Sequence, residues 1–336
     1  MSRPAGRRTP HSHRRTQIEG DPVTHPTARL RRYSTLVVLA GILLTTGCRG
    51  GESTAGSDGG GSAIPDNSAI VNAVQSDPAL AGQVPAAIKG KGTLSVGSNV
   101  QSPPNNFYGA DGKKAVGFEV DLITAAAKKL GLDVAYSDMS FDSLITSLQT
   151  GRIDATIAGM NDTKERQQKI DFVDYFTSGI TMMVAKGNPE KIHTVDDLCG
   201  KAIAVVTGTS QQEFAKSQSA TCTAAGKPAL TITDTSSDAQ NQQQLRSGRI
   251  AVILNDLPSA AYISRTAGDG KFFETVDQAP LNGGPYGIGL AKDNKALTDA
   301  LQKALQSLVD DGTYTKILAA WQITSGALQK VTVNAG

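Results

Sequence analysis

Apolar positions along the chain follow two alternating spacings, one typical of strands and one typical of helices. The stretch TLSVGS at residues 93–98 predicts a short strand, and EVDLITAAAKKLG at residues 119–131 predicts a helix that stops at Gly131. Four apolar side chains of this helix fall on one face: Leu122, Ile123, Ala126 and Leu130. A strand followed by a helix is the unit from which α/β layers are built.

The same alternation continues towards the end of the chain. FDSLITSLQTG at residues 141–151 predicts a second helix that ends at Gly151, and the apolar run at residues 153–158 predicts a short strand. Two further helices are predicted by KALTDALQKALQSLVDDG at residues 295–312 and by TYTKILAAW at residues 313–321. Strands that alternate with helices in this way predict an α/β fold.

A short internal repeat indicates that the chain contains two similar lobes. LQTGRIDATIA at residues 148–158 and LRSGRIAVILND at residues 245–256 share a helix end, a glycine, an Arg-Ile pair and an apolar strand, at an offset of 97 residues. Ligands of open α/β sheets gather beyond the carboxyl ends of strands. The polar residues 159–166 and 255–256 are therefore candidate site residues. The alternative is that the two stretches share only a common order of helix, loop and strand.

Two predicted helix starts face that region. DTKE at residues 162–165 and SQQE at residues 210–213 both have the spacing of a capping box. Helix starts present backbone N–H groups and the positive end of the helix dipole, and both favour anions. The pair therefore indicates a small carboxylate held between the lobes. The alternative is that both boxes only cap their helices.

Arg166 lies one turn into the first of these helices, where the dipole disfavours a cation. A guanidinium pairs with a carboxylate in bidentate geometry, so an anionic ligand would resolve this conflict. Asp256 follows an apolar strand in the other lobe and supplies the complementary charge for an ammonium group. A carboxylate at Arg166 and an ammonium at Asp256 together describe an α-amino acid.

Charge and histidine content argue against two classes of function. The net charge is +2, but eight arginines against Glu19 and Asp21 give the first 47 residues +6 by themselves. The remainder is net negative, so we expect no nucleic-acid partner. Three of the four histidines lie within the first 25 residues, which leaves His193. A Ser-His-Asp triad or a His-rich zinc site is hard to build from one histidine, and we expect no catalytic residues, metal or cofactor.

The first 47 residues have the form of an export signal. Arginines precede an apolar run at residues 36–44 that is too short to span a bilayer. LTTGC at residues 44–48 resembles a bacterial lipoprotein signal, which implies a lipid on Cys48 and an anchor on the outer face of the cell membrane. Thr45 stands where such signals usually have Leu, and the alternative is cleavage nearby that releases a free secreted protein. Residues 48–64 are rich in Gly and Ser and predict a flexible tether.

Cysteine content agrees with an exported protein. With Cys48 assigned to the lipid, Cys199 and Cys222 remain as a pair. Thiols of exported proteins are free to oxidise, so we expect a disulfide between Cys199 and Cys222. The alternative is two buried free thiols.

Six stretches of the chain together resemble one family: GTLSVGSNV, DGKKAVGFEVDL, SLQTGRIDATIAGMNDTKERQQKIDF, GTSQQ, ILND and DGTYTKILAAW. The resemblance is to the family 3 extracellular solute-binding proteins, the amino-acid receptors of ABC importers, and it covers residues 92–321. It implies the type II periplasmic-binding-protein fold, in which two α/β lobes joined by two crossover strands close on a ligand as a hinge.

The domain organisation combines the leader and this resemblance. We expect five parts: a signal peptide at residues 1–47, a tether at 48–64, an N-terminal extension at 65–91, a first lobe at 92–182 and 288–336, and a second lobe at 183–287.

The resemblance also implies which residues bind the ligand. Arg166 matches the family's carboxylate-binding arginine, and Asp256 matches the aspartate that holds the α-ammonium. The residues matched to the surrounding clamp are Asn161, Ala158, Gly159, Thr209 and Ser210. Those matched to the ligand side chain are Asn99, Ser102, Phe141, Val206 and Asn255.

One stretch departs from the family pattern. An aromatic-x-Pro-Phe sequence is common in the family near the first strand, whereas this chain has SPPN at residues 102–105. The second aromatic wall of the cleft is therefore missing or supplied differently, with Phe107 and Tyr108 as candidates.

The matched lining is polar and uncharged around the ligand side chain, which disfavours a strongly cationic ligand. We therefore expect glutamine, glutamate or asparagine rather than lysine or arginine. The expected partners are the free amino acid and the membrane permease subunits of an ABC importer, and the protein is expected to be a monomer. Two alternatives stay open: an enzyme of the cyclohexadienyl-dehydratase type on the same fold, and a ligand sensor. We expect no enzyme, because the carboxylate of Asp256 is committed to an ammonium.

Overall fold

Helices and strands alternate along residues 64–336, which is the part of the chain that the computed structural model describes. The helices are α1 Ser68–Asn72, α2 Pro78–Ala81, α3 Ala86–Lys91, α4 Phe118–Lys129, α5 Leu144–Gln149, α6 Lys164–Gln167, α7 Ser210–Ala224, α8 Asp238–Arg246, α9 Leu257–Thr266, α10 Lys295–Asp310 and α11 Thr313–Ala320. The strands are β1 Thr93–Ser98, β2 Phe107–Tyr108, β3 Ala115–Val116, β4 Asp133–Asp138, β5 Ala155–Thr156, β6 Ile170–Ala185, β7 Ala202–Val206, β8 Thr231–Thr235, β9 Val252–Asp256, β10 Phe273–Thr275 and β11 Leu281–Ala291. Three short 3-10 turns lie at Phe141–Ser143, Val195–Leu198 and Thr324–Gly326.

The first predicted strand and helix are confirmed. β1 covers the predicted residues 93–98, and the four apolar side chains predicted for one face of α4 are all buried. Gly131 follows this helix with a φ of +69°, in the left-handed region that glycine adopts without strain. The N–H of Leu132 then donates to the carbonyl of Ala127 at 2.9 Å, which closes the helix end as a Schellman-type motif.

Other predicted elements differ in detail. The helix predicted for residues 141–151 begins as the 3-10 turn and continues as α5, and Gly151 follows with a φ of +67°. The apolar run at residues 153–158 forms only the two-residue strand β5, because the chain turns into a loop directly after it. The two helices predicted near the end of the chain are confirmed as α10 and α11.

A nine-stranded sheet runs through both lobes of the molecule. Eight of its strands follow the order β4-β1-β5-β11-β6-β9-β7-β8, and β10 pairs with β6 beside that path. The long strands β6 and β11 are antiparallel neighbours at its centre. They are the two crossover strands, because strands on one side of them belong to the first lobe and strands on the other side belong to the second.

Each lobe has its own hydrophobic core. β6 contributes Phe176 to the core of the first lobe and Ile180 to the core of the second, so this strand crosses between the lobes within these few residues. The N-terminal extension packs on the first lobe, where Val71, Val84 and Ile88 of its helical region are buried in the same cluster as α4. The lobe boundaries given above stay a prediction.

The internal repeat corresponds to equivalent positions in the two lobes. β5, in the first copy, lies between the parallel strand β1 and the antiparallel strand β11. β9, in the second copy, lies between the parallel strand β7 and the antiparallel strand β6. Each copy therefore places the carboxyl end of a strand, and the polar residues after it, beside a crossover strand.

The predicted disulfide is confirmed. Cys199 follows a 3-10 turn and bonds to Cys222 in the last turn of α7, with their Cα atoms 5.6 Å apart. Cys48 and nearly all of the tether lie outside the described residues. Among residues 64–336, none of the helices combines the length and the apolar character needed to cross a membrane.

Candidate functional site

A cavity lies between the two lobes, at the carboxyl ends of strands from both of them. Eleven of the twelve residues predicted to bind the ligand line it: Asn99, Ser102, Phe141, Ala158, Gly159, Asn161, Val206, Thr209, Ser210, Asn255 and Asp256. They lie at or after the carboxyl ends of β1, β4, β5, β7 and β9, which is the placement that the strand-end rule predicts.

The twelfth residue, Arg166, lies at the edge of this cavity and does not itself line it. Its side chain is buried, with the guanidinium carbon 5.6 Å from the ring centroid of Phe141. One terminal nitrogen donates to the carbonyl of Asn161 at 2.9 Å, and the other donates to the carbonyl of Gly208 at 3.1 Å. Since Asn161 belongs to the first lobe and Gly208 to the second, the guanidinium connects the two lobes.

The guanidinium of Arg166 carries a buried positive charge. Burial lowers the pKa of the guanidinium from its ordinary value, and nearby carboxylates, first Glu213 and then Asp256, oppose this shift. A buried cation is tolerated where acceptors satisfy its donors. A guanidinium has five N–H donors, and the two carbonyls described above account for two of its hydrogen bonds within residues 64–336.

The two helix starts are capped one residue away from the predicted positions. Thr163 caps α6 and Thr209 caps α7, each accepting a hydrogen bond from the backbone N–H three residues later at 3.3 Å. The capping boxes predicted to start at Asp162 and Ser210 are therefore wrong, because threonine takes the cap in both cases. The hydroxyl of Ser210 is instead available to donate to Asn161 Oδ1 at 2.7 Å, a second hydrogen bond between the lobes.

Asp256 is a buried carboxylate in the lining of the cavity. It ends β9, and burial raises its pKa to about 7, although the nearby side chains of Tyr286 and Gln211 act in the opposite direction. Within the described part of the chain, its Oδ1 atom has no hydrogen-bond partner. A buried acceptor without a partner is costly, so this oxygen is available for a donor that enters the cavity.

A second buried carboxylate, Glu119, supports the loop after β5 from behind. Glu119 Oε1 accepts hydrogen bonds from the N–H of Gly159 at 2.8 Å and from the hydroxyl of Tyr175 at 2.6 Å. Burial raises the pKa of Glu119 to about 7. Gly159 has a φ of +57°, and a Cβ atom there would lie 2.7 Å from Asn105 Nδ2. Glycine at this position therefore permits the close packing that holds the loop against the cavity.

The most important residue that the sequence analysis missed is Asp238. It is buried at the first position of α8, lines the cavity and accepts a hydrogen bond from the hydroxyl of Ser102 at 3.1 Å. Burial raises its pKa to about 6. The expectation of an uncharged lining is therefore wrong. Asp238 follows the carboxyl end of β8, so the strand-end rule that identified Asp256 could also have identified Asp238.

Four other lining residues were also missed: Asn105, Gln211, Leu254 and Ser259. The hydroxyl of Ser259 donates to Asn105 Oδ1 at 3.5 Å, across the cavity from the second lobe to the first. Asn105 belongs to the SPPN stretch at residues 102–105, which departs from the family pattern. This departure was a sequence signal for an unusual residue at this position. Ser259 lies in the first turn of the helix after Asp256, where a strand-end search would have reached it.

Phe107 and Tyr108 do not supply a second aromatic wall. Phe107 packs on Tyr262 and Trp321, with both ring centroids 6.0 Å away, and it does not line the cavity. Tyr108 is exposed, and its hydroxyl donates to Asp138 at 3.0 Å. Both candidates are therefore wrong. Within the described lining, the polar side chain of Ser102, paired with a carboxylate, stands where the family pattern has an aromatic residue.

Comparison with known proteins agrees with this architecture. Residues 94–324 match the bacterial extracellular solute-binding proteins, family 3. The chain belongs to this family. The match spans both lobes and both crossover strands, and every residue of the cavity lining lies within it.

Relatives within the family carry amino-acid names. The arginine-binding protein ArgT of Corynebacterium glutamicum is 30% identical over 258 residues, which are 76% of this chain and 83% of that protein. The L-cystine-binding protein TcyJ of Escherichia coli is 33% identical over 240 residues, which are 70% of this chain and 84% of that protein. The solved structure of an ancestral arginine-binding protein bound to arginine is 37% identical, with a TM-score of 0.62, over 68% of this chain and 98% of that one.

These likenesses establish the type II periplasmic-binding-protein fold and the class of protein. This chain is an extracellular solute-binding protein of the amino-acid-binding group that serves ABC importers. The relatives described above are binding proteins and not enzymes.

Proposed function

We propose that this protein captures one free α-amino acid between its two lobes and delivers it to the permease of an ABC importer. The observation that carries the proposal is the position of two buried opposite charges at one cavity: the carboxylate of Asp256 in the lining and the guanidinium of Arg166 at the edge. These are the charges that the two ends of an amino-acid zwitterion require. The arginine-binding and cystine-binding relatives support the same class of ligand.

In this proposal Arg166 receives the carboxylate of the ligand. Its planar fork suits a carboxylate, and it is held beside Phe141 and Asn161, which line the cavity. Thr209 and Ser210 contribute backbone N–H groups at the start of α7, where the helix dipole favours an anion.

Asp256 receives the α-ammonium of the ligand. Its unpartnered Oδ1 atom supplies a buried acceptor, and a charge-assisted hydrogen bond from an ammonium satisfies both the acceptor and the charge. The carbonyls of Ala158 and Gly159, in the loop that Glu119 supports, lie along the same cavity and offer further acceptors.

The side chain of the ligand is a separate question. Glutamine, glutamate or asparagine was expected because the predicted lining had no carboxylate beside the ligand side chain. Asp238 lines the cavity, so this reason no longer holds. Glutamate is specifically disfavoured, because its side-chain carboxylate would be buried beside a carboxylate of the same sign. The proposed class is therefore an α-amino acid whose side chain is polar and is not an anion.

We also propose that the protein is held on the outer face of the cell membrane by a lipid on Cys48, on a Gly/Ser-rich tether. The support is the LTTGC sequence at residues 44–48, which lies outside the described residues. Mass spectrometry of the membrane-associated protein is expected to find a diacylglyceryl-modified Cys48 at the N-terminus. An unmodified N-terminus upstream of this cysteine would contradict the anchor and leave the proposed binding activity unaffected.

The experiment that tests the proposed function is a thermal-shift screen of the twenty amino acids, after dialysis to remove any ligand carried through purification. A ligand that binds only the folded state stabilises it by about 2.7 kcal/mol at 100 times Kd. We expect at least one amino acid to raise the melting temperature, while its α-carboxamide and its N-acetyl derivative, which lack the carboxylate charge or the ammonium, do not. A screen in which no amino acid raises the melting temperature would contradict the proposal.

The same sample distinguishes a receptor from an enzyme of the cyclohexadienyl-dehydratase type. A receptor releases its ligand unchanged, so the bound amino acid is expected to be recovered intact by mass spectrometry after long incubation and denaturation. Conversion of the ligand during incubation would instead favour the enzyme.

A further inference from the structure

The cavity contains one more negative charge than a zwitterion neutralises. Among the described residues that line it, the ionisable side chains are Asp238 and Asp256, and the guanidinium of Arg166 lies at its edge. In the proposed function Arg166 pairs with the ligand carboxylate and Asp256 with the α-ammonium. Asp238 is then left without a countercharge, and an uncompensated buried carboxylate is costly.

Asp238 comes from a different part of the fold than the groups assigned to the zwitterion. Asp238 begins α8, after β8, whereas Asp256 ends β9 and Arg166 lies on α6. Its hydrogen bond from Ser102 fixes one oxygen, Oδ2, at the junction of the two lobes. Since Ser102 stands where the family pattern has an aromatic residue, the wall at this end of the cavity is polar and carries a negative charge.

Neighbouring groups extend this polar end of the cavity. Asn255 is buried and lines the cavity, and its Nδ2 atom has no hydrogen-bond partner within residues 64–336. Asn99 and Asn105 line the cavity from the first lobe and add side-chain amides. An apolar ligand side chain would leave these groups unpaired. The Asp238 carboxylate accepts hydrogen bonds from a ligand side chain with several donors, whereas the Asn255 Nδ2 group is itself a donor that lies near Asp238 and favours its ionised form.

We infer that Asp238, oriented by Ser102, forms a side-chain subsite that selects α-amino acids with a second, distal cationic group. This inference rests on the proposed function and names the ligand class for the same cavity. The cation is a guanidinium or a primary ammonium at the end of the side chain. It pairs with the Asp238 carboxylate. The protein then contributes two carboxylates and a guanidinium, and the ligand contributes two cations and a carboxylate. These charges sum to zero.

The test compares ligands that match in size and differ in the distal charge. Arginine ends in a guanidinium where citrulline has a neutral urea group, and lysine has a side-chain ammonium that norleucine lacks. Isothermal titration calorimetry on the purified protein is expected to give at least 30-fold tighter binding of the cationic member of at least one pair. The pair with the larger difference identifies the guanidinium or the ammonium as the preferred group.

Three variants assign the selectivity to Asp238. Asp238→Asn is expected to weaken binding of the preferred cation at least 30-fold while its neutral counterpart stays within about threefold of wild type. Ser102→Ala keeps the carboxylate, so the preference for the cation is expected to persist at a reduced level. Asp234→Asn is the matched control, because Asp234 is an exposed carboxylate on β8, four residues earlier, and its change is expected to leave all affinities as in wild type.

The outcomes separate this inference from the proposed function. If wild type binds the neutral members as well as the cationic ones, or binds glutamine more tightly than either cation, the inference is overturned and the proposed function stands. This ranking needs no variant, so it holds even where Asp238→Asn fails to fold. Equal losses for both members of a pair in folded Asp238→Asn would also overturn the inference, because they would indicate a purely structural carboxylate. If no α-amino acid binds, the proposed function fails and the inference fails with it.

Discussion

The guanidinium of Arg166 donates a hydrogen bond to the carbonyl of Gly208 at 3.1 Å, from one lobe to the other. Next to it, the hydroxyl of Ser210 donates to Asn161 Oδ1 at 2.7 Å. The arginine proposed to bind the ligand carboxylate is therefore also one of the groups that join the lobes. Binding and closure act on the same side chain, which is how a hinged receptor couples occupancy to a change of shape.

Gly208 permits this contact because it has no side chain. Its φ is +80°, and a Cβ atom there would lie 3.0 Å from Asp142 Cβ in the first lobe. We expect Gly208→Ala to weaken amino-acid binding by about 1 to 3 kcal/mol, the scale of an overpacked contact, because the lobes cannot close as tightly. Calorimetry measures the change in affinity.

Gly187→Ala is the matched control for Gly208→Ala. Gly187 also has a φ of +80°, but a Cβ atom there would have no atom within 4 Å. Both variants therefore carry the same backbone strain, and only Gly208→Ala adds the contact between the lobes. Equal affinities in the two variants would contradict a role for Gly208 in closure.

Tyr262 makes an aromatic contact between the two lobes. It lies on α9 in the second lobe, and its ring centroid is 6.0 Å from that of Phe107 and 6.5 Å from that of Trp321 in the first. Opening of the cleft would separate these rings, so we expect ligand binding to change the emission of Trp321, the single tryptophan of the chain. Tyr262→Ala is expected to weaken binding by about 1 kcal/mol through the lost aromatic contacts.

The control for this prediction is Tyr262→Phe, which keeps the ring and is expected to bind nearly as wild type does. Fluorescence titration gives both the emission change and the affinity. If the emission spectrum stays the same at saturating ligand and Tyr262→Ala binds as tightly as wild type, these rings do not report closure.

Ligand affinity is expected to depend on pH through Asp256. Burial raises the pKa of this carboxyl to about 7, and only the ionised form attracts an α-ammonium. Affinity is therefore expected to rise by up to tenfold per pH unit below about pH 7 and to level off above it, where the Asp256 carboxyl is ionised. Calorimetry with citrulline between about pH 5.5 and 8.5 measures this ionisation without a charged ligand side chain.

Asp256→Asn is expected to bind citrulline more weakly and without this rise. A wild-type affinity that stays constant over the whole range, or that falls as pH increases, would contradict the pairing of Asp256 with the α-ammonium.

The disulfide is expected to stabilise the second lobe without affecting the site. Cys199 and Cys222 close a loop with a sequence separation of 23 residues, and neither lines the cavity. Replacing both with serine is expected to lower the free energy of unfolding by about 3 kcal/mol on the chain-entropy estimate, while affinity remains close to that of wild type.

Urea unfolding measures this stability difference. Wild type unfolded in the presence of a strong reductant is the control, and it is expected to approach the double variant. A double variant as stable as oxidised wild type would contradict the predicted contribution of the disulfide.

Much of the fold and part of the site could be predicted from local patterns. Leu122 and Ile123 revealed the buried face of α4, and the strand ahead of Asp256 placed this carboxylate at a strand end. Such features depend on residues that are close in sequence, so the periodicity of side chains is sufficient to predict them.

The features that could not be predicted depend on residues that are distant in sequence. Ser102 and Asp238 are 136 positions apart and meet only when the lobes come together. Phe107 packs away from the cavity because Tyr262 and Trp321 form an apolar surface for it, which the sequence near Phe107 does not indicate. The threonine caps differ from the predicted capping boxes by one residue, because adjacent polar residues compete for the same backbone N–H groups.

The central claim, that the cleft binds an α-amino acid through its carboxylate and ammonium, is tested most directly by calorimetry on Arg166→Ala. The preferred amino acid and its α-carboxamide are titrated into wild type and into the variant, with circular dichroism to confirm that both are folded. We predict that the variant loses about 3 to 5 kcal/mol of binding free energy for the amino acid. The loss is expected to be much smaller for the carboxamide, because the group that Arg166 recognises is already gone and only the contact of Arg166 with Gly208 is lost. Binding of the amino acid to Arg166→Ala within about twofold of wild type, a difference under about 0.5 kcal/mol, would contradict the account.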